Sequence, residues 1–146
     1  RIACARAARP GPTLVVDGGT AVTVDVVDEV GRYRGGFIAP GPAAGLAGLA
    51  ATTAQLPRVD FETTWPPRLG LQTRAALVAG VWGLTVGGVD LLVEAARTAL
   101  PSTGRVRVVA TGGWGRAWAA STRVVEVEVD EALVHRGIAR WAGWIG

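Results

Sequence analysis

Between residues 13 and 38 the chain alternates short apolar runs with turn residues. Thr13-Leu-Val-Val-Asp17 is an apolar run, Asp17-Gly-Gly-Thr20 is turn chemistry, and Ala21 to Asp28 is β-branched. That pattern predicts a hairpin whose bend draws on the backbone freedom of glycine. A second turn, Asp28-Glu-Val-Gly31, leads into Arg32-Tyr-Arg-Gly-Gly-Phe-Ile38, which makes three consecutive antiparallel strands. Ahead of them Arg1 to Ala8 reads as the end of a helix, stopped by Arg9-Pro-Gly-Pro12, where proline removes backbone donors and fixes φ.

Beyond Pro40-Gly41-Pro42 the period changes. Leu46, Leu49 and Ala50 recur at helical spacing within Ala43 to Gln55, which predicts a short helix closed by Pro57. Arg58 to Arg68, with Trp65-Pro66-Pro67, reads as irregular. Leu71 to Leu100 is a long apolar helical segment, expected to be buried on most sides, and its glycines at 80, 83, 87 and 88 suggest close approach of another helix or backbone. The last third alternates: strand Arg105–Ala110, turn Thr111-Gly-Gly113, helix Trp114–Ala120, strand Arg123–Val129 and helix Glu131–Trp144. Trp114 with Trp118, and Trp141 with Trp144, fall three or four apart on predicted helices, so each pair is expected to face a core or an interface.

A chain of 146 residues is one domain's worth of sequence, and 49% hydrophobic against 18% charged residues with mean hydropathy +0.32 argues against a disordered chain. All 15 basic residues are arginines, but they are scattered and the net charge is only +3, which argues against a nucleic-acid surface. The charge-free apolar stretch Ala75–Val89 is shorter than the about 20 residues that span a bilayer, so no membrane segment is expected. Cys4 stands alone and fits a small buried residue in a reducing cytoplasm, while the single His135 is expected on a helix surface, with no zinc-ligand spacing.

The segment richest in chemistry is Leu14-Val-Val-Asp-Gly-Gly-Thr-Ala-Val-Thr-Val-Asp25. A hairpin tip with an acid, two glycines and a hydroxyl approaches a polyphosphate closely. Gly18 and Gly19 are expected to turn their amides toward phosphate oxygens, Thr20 to donate its hydroxyl, and Asp17 to hold a cation. An ordinary tight turn reads equally from Asp-Gly. Thr111-Gly112-Gly113, between a strand and a helix, offers amides to an anion or, through its glycines, room for an adenine, or forms a plain strand-to-helix turn. Asp25 either helps to organise the cation site or is a solvated strand residue. No Gly-x-Gly-x-x-Gly links a first strand to a helix, which disfavours a dinucleotide-binding domain.

Taken together, Asp17-x-Gly19-Thr20-Ala21-x-Thr23-x-Asp25, Gly35-Gly36-x-Ile38-x-Pro40-Gly41 and Thr53-Ala54-x-Leu56-Pro57 closely resemble, in order and spacing, the type III pantothenate kinases. Gly70-x-x-Thr73 before the long helix, Ala110-Thr-Gly-Gly113 after a strand and Asp130-x-x-Leu133-x-x-x-Gly137 extend the resemblance over essentially the whole chain. The resemblance implies an α/β, ribonuclease H-like (actin-like ATPase) domain over residues 1–146, matching the C-terminal half of such a kinase. It implies phosphorylation of pantothenate by ATP with magnesium and a monovalent cation, potassium or ammonium, in a cytoplasmic homodimer.

Carried over residue by residue, Asp17 matches the cation ligand, Thr20 the hydroxyl on ATP, and Arg1 and Thr73 the pantothenate contacts. In the family that arginine ends a Gly-x-Asp-Arg motif whose aspartate is the general base, and here the sequence opens on Arg1. The family's N-terminal half, with its own aspartate-glycine phosphate loop, is likewise not in these 146 residues. The isolated polypeptide is therefore expected to have little kinase activity. The alternative from another class is a non-catalytic nucleotide-binding or dimerisation module on the same fold.

Overall fold

The computed structural model describes residues 11–63, 67–100, 105–124 and 126–144. Arg1, Cys4 and Trp65, and the helix end read at 1–8, lie outside them.

The three-strand meander forms as the pattern demands: β1 (Thr13–Gly18), β2 (Ala21–Val27) and β3 (Tyr33–Pro40). After the meander come α1 (Pro42–Thr52), α2 (Thr73–Thr98), β4 (Arg107–Thr111), α3 (Gly115–Ala119), β5 (Val127–Val129) and α4 (Leu133–Trp141). The five strands make one mixed sheet in the order β3-β2-β1-β4-β5. β1 runs antiparallel to β2 and parallel to β4, so β1 and β4 end side by side, with Asp17 opposite Thr111.

Strand alternation sends Leu14, Val16, Val22, Val24, Val26, Val108 and Ala110 to one face. There they pack with Trp82, Val86, Val89, Val93 and Ala96 of α2 and with Trp114 and Trp118 around α3. Trp82 and Trp114 meet edge to face at 5.9 Å, the arrangement ring quadrupoles favour. Asp90 ties this layer to the following loop, accepting from the Trp118 indole at 3.0 Å, the Thr122 hydroxyl at 2.5 Å and the Arg123 amide at 3.1 Å. On the opposite face Val15 and Val109 pack against Leu133 of α4.

Several expectations are corrected. α2 (Thr73–Thr98) fulfils the long helix read over Leu71–Leu100, but by length and composition alone it is long and apolar enough to cross a membrane, which the charge-free stretch Ala75–Val89 is not. Nor is it buried on most sides. Its buried residues form one stripe at alternating spacings of four and three, while Leu84 is 78% and Leu91 69% exposed. Gly80, Gly87 and Gly88 have no heavy atom within 4 Å of an added Cβ, and Gly83 meets only Pro67 at 3.8 Å, so the close approach inferred from these glycines is not made within the described residues. β5 begins at Val127 rather than Arg123, because Glu126 takes φ 62°, which breaks an extended strand. Trp114 and Trp118 face the core, whereas Trp141 and Trp144 are exposed. His135 is on a helix surface, as its lack of partners suggested.

Candidate functional site

Two glycine turns converge where β1 and β4 end. Gly18, the last residue of β1, is buried against Trp114: a Cβ there would stand 2.8 Å from the indole and 2.9 Å from the Gly115 nitrogen. The Trp114 amide donates to the Gly18 carbonyl at 3.1 Å and its indole N–H to the Gly19 carbonyl at 2.8 Å. The Gly19 amide donates to the Ala21 carbonyl at 3.1 Å, and the Gly41 amide, at the start of α1, donates to the Thr20 carbonyl at 2.9 Å. The bend is thus held by two other segments, at Trp114 and at Gly41, and by its own Gly19–Ala21 bond.

This revises the role read for the two glycines. Gly18 is covered by Trp114 and the Gly19 N–H is taken up inside the turn, so neither is an outward phosphate donor. Their missing side chains instead let the second turn and Trp114 close on the first. What the bend presents to solvent is Thr20, with Gly113 exposed on the neighbouring turn.

Gly112 occupies φ +83°, and a Cβ there would collide with Asp17 Oδ1 and stand 2.7 Å from the Gly18 carbonyl oxygen. Only glycine fits that cradle. Burial pushes the Asp17 carboxyl above the usual carboxylate range, and the negative charge of Asp25 adds to the rise. Asp25 shares that sheet face two positions further along, as the register Asp17↔Thr23 and Val15↔Asp25 shows.

Asp25 is fully buried rather than solvated. It accepts from the Thr23 hydroxyl at 3.0 Å and from the Tyr33 hydroxyl at 3.3 Å. Gly36, opposite it on β3, makes the room, since a Cβ there would stand 2.8 Å from Asp25 Oδ1. Thr111, the neighbour of Asp17 in the parallel ladder, is 1% exposed, and its hydroxyl oxygen is buried without a hydrogen-bond partner. A buried polar group left unmet costs about 1–3 kcal/mol.

The structure therefore brings together Asp17, Gly18, Gly19, Thr20, Gly112 and Gly113. Thr73 stands apart, exposed at the first position of α2. Beside it a cleft of about 730 Å³ opens against the start of α2, lined by Arg68 and Arg74 as well as Asp60 and Glu62. Arg1 lies outside the described residues. Sequence reasoning missed Gly41 and Trp114 as members of the site, and gave the Thr111 side chain no role within the Thr111-Gly-Gly113 turn. Gly41 carries a signal in Pro40-Gly41-Pro42 at a helix start, but that the Thr111 hydroxyl faces Asp17 and that a tryptophan after two glycines closes on the first turn follow only from the strand order. Among the described residues no group of three or more His, Cys, Asp or Glu side chains gathers to hold a metal, so any cation here takes mixed oxygen donors.

A family model, type III pantothenate kinase, matches residues 1–95. The type III pantothenate kinase of Gloeobacter violaceus is 44% identical over 102 residues, covering 70% of this chain and 43% of that protein. Those of Rubrobacter xylanophilus and Rhodospirillum rubrum are 37% and 40% identical over 130 residues, covering 87–88% of this chain and 48–49% of theirs. The chain spans about half the length of the curated relatives it matches. Among solved structures, a conserved protein of the Baf family of transcriptional activators from Campylobacter jejuni is similar, with a TM-score of 0.65 and 25% identity over 98% of this chain and 63% of that one. With the family model matching well over half of its residues, the chain belongs to the type III pantothenate kinase family.

Proposed function

We propose that this chain supplies the nucleotide-side half of an ATP-dependent phosphotransferase acting on pantothenate, with a ribonuclease H-like fold. The observation that carries the reading is the meeting of Asp17-Gly-Gly-Thr20 and Thr111-Gly-Gly113 at the C-terminal ends of two parallel neighbours, where α/β sheets bind ligands. The strand order β3-β2-β1-β4-β5, three antiparallel strands followed by two parallel ones, supports the fold assignment.

In this reading the exposed Thr20 hydroxyl donates to phosphate, and the start of α1 behind Gly41 adds the positive end of an 11-residue helix. Gly112 and Gly113 form the wall against which the nucleotide lies. Asp17 fits a hard monovalent cation: it is a single half-buried carboxylate, with a buried, unpartnered hydroxyl as its ladder neighbour. Bound there, magnesium-ATP supplies the phosphoryl group, and the cation offsets charge on the transferring oxygens. The protein's share is positioning, by a bend that two neighbouring segments, at Trp114 and at Gly41, fix in place.

Thr73 and Arg1 are assigned to pantothenate, a guanidinium and a hydroxyl suiting a hydroxylated carboxylate. The outward face of α2, with exposed Leu84 and Leu91 and uncovered glycines, is assigned to contact with a second copy. Because the chain spans about half of its relatives, the 146 residues alone are expected to turn over little. The test is a chimera in which this chain replaces the corresponding part of the Rubrobacter xylanophilus enzyme, assayed for pantothenate-dependent ADP release with and without potassium. Turnover that needs potassium, and loses that dependence in Asp17→Asn, is expected. A folded chimera without turnover contradicts the reading.

A further inference from the structure

The Asp17 side chain has one neighbour that the proposed reaction leaves unused. Thr111 stands opposite Asp17 in the β1–β4 ladder, and partners in a parallel ladder project to the same face of the sheet. Its hydroxyl oxygen is sealed from solvent and meets no donor or acceptor. A valine of the same shape would fill that strand position without stranding a polar group. The hydroxyl thus opposes stability where it stands, a pattern typical of functional positions.

The backbone around it is built to keep this corner tight. Gly112, the next residue, takes a left-handed conformation and leaves no space for a side chain beside Asp17 Oδ1. Asp25, the other acid on this face, is already engaged by the Thr23 and Tyr33 hydroxyls. At the ends of β1 and β4 the two facing side chains that carry oxygen are those of Asp17 and Thr111. As ligands this carboxylate and neutral hydroxyl would contribute one negative charge between them, with the Asp25 carboxylate adding its field from further along the same face.

We infer that the Thr111 hydroxyl is an oxygen ligand of the cation held by Asp17, so that a monovalent ion bridges the ends of β1 and β4. The inference rests on the cation role proposed for Asp17, and it adds a residue from the other strand. It makes the ion a clasp between the two glycine turns: with the ion bound, the Gly18–Thr20 bend and the Gly112–Gly113 turn are fixed relative to one another.

The test uses the whole 146-residue chain and measures binding rather than turnover. Thermal melting is followed in potassium chloride, in magnesium chloride and in tetramethylammonium chloride at equal ionic strength, and thallium(I) serves as an NMR-visible stand-in for potassium. Wild type is expected to gain melting temperature in potassium over tetramethylammonium. Thr111→Val should melt at or above wild type in tetramethylammonium yet bind potassium and thallium about 10- to 100-fold more weakly, while Thr111→Ser restores the affinity and Asp17→Asn abolishes it.

If Thr111→Val binds the ion as wild type does while Asp17→Asn does not, Asp17 keeps its role and the proposal is wrong. A Thr111→Val chain that melts well below wild type without potassium shows a structural hydroxyl and also overturns it. A wild-type chain with no potassium-specific response, or one that answers only to magnesium, removes both the Asp17 assignment and the proposal.

Discussion

The two faces of this sheet are written in the same strands, one residue out of step, and they serve opposite ends. On the α2 side every inward position of β1, β2 and β4 from Leu14 to Ala110 is apolar, and two fully buried tryptophans, Trp82 and Trp118, fill the layer. On the α4 side the same strands carry Thr13, Asp17, Thr23, Asp25 and Thr111, and the apolar contact shrinks to Val15, Val109 and Leu133. One face stabilises the fold. The other accepts a buried acid enclosed by two hydroxyl donors and, at the edge where two turns meet, a desolvated acid and an unmet hydroxyl that are unfavourable for folding.

The contrast is sharpest in substitutions ordered by size. Trp118→Ala removes a buried indole and its bond to Asp90, so a loss of about 3–5 kcal/mol is expected in urea unfolding. A loss under about 1 kcal/mol would mean that the α2 face does not carry the fold. Gly112→Ala is next: the left-handed conformation costs an L-residue about 1–3 kcal/mol, and the collision with Asp17 should also weaken nucleotide binding. A variant as stable as wild type, with unaltered nucleotide affinity, would deny the cradle.

Asp17→Asn should act in the other direction. The carboxyl's native-state pKa lies above its unfolded value, so the folded chain holds the proton more tightly. Its contribution to stability is therefore full in acid and is lost as pH rises through the native pKa. In buffer without alkali cation the asparagine variant is expected to match wild type in acid and to exceed it at neutral pH, as read from denaturant midpoints across pH. A variant less stable than wild type at neutral pH would show that the charge is compensated in the fold. The smallest effect belongs to the far edge: Arg105 and Glu126 are 74% and 62% exposed, and Arg105→Ala should cost no more than about 1 kcal/mol, shrinking with salt.

The apolar face was legible in the sequence because period-two alternation in Thr13–Asp17 and Ala21–Asp28, and the helical recurrence from Leu71, are local signals. The site was legible only in its first turn. Asp17, Thr20 and the two glycine pairs stand out in sequence, but the clamp on Gly18 and Gly19 comes from Trp114 and Gly41, far along the chain and joined only by the strand order. Asp25 gave a polar residue on a strand, and nothing local says that Tyr33 and a side-chain-free Gly36 enclose it. The reach of α2's burial was overestimated because composition counts apolar residues without saying how many faces are covered.

The central claim is that the two glycine turns together form one nucleotide site. Its most direct test is calorimetric titration of the 146-residue chain with magnesium-ATP in potassium buffer, beside Thr20→Ala, a change confined to an exposed side chain. One binding site is expected, weakened by Thr20→Ala with the melting temperature unchanged. ATP that does not bind, or binds equally well without the Thr20 hydroxyl, would contradict it.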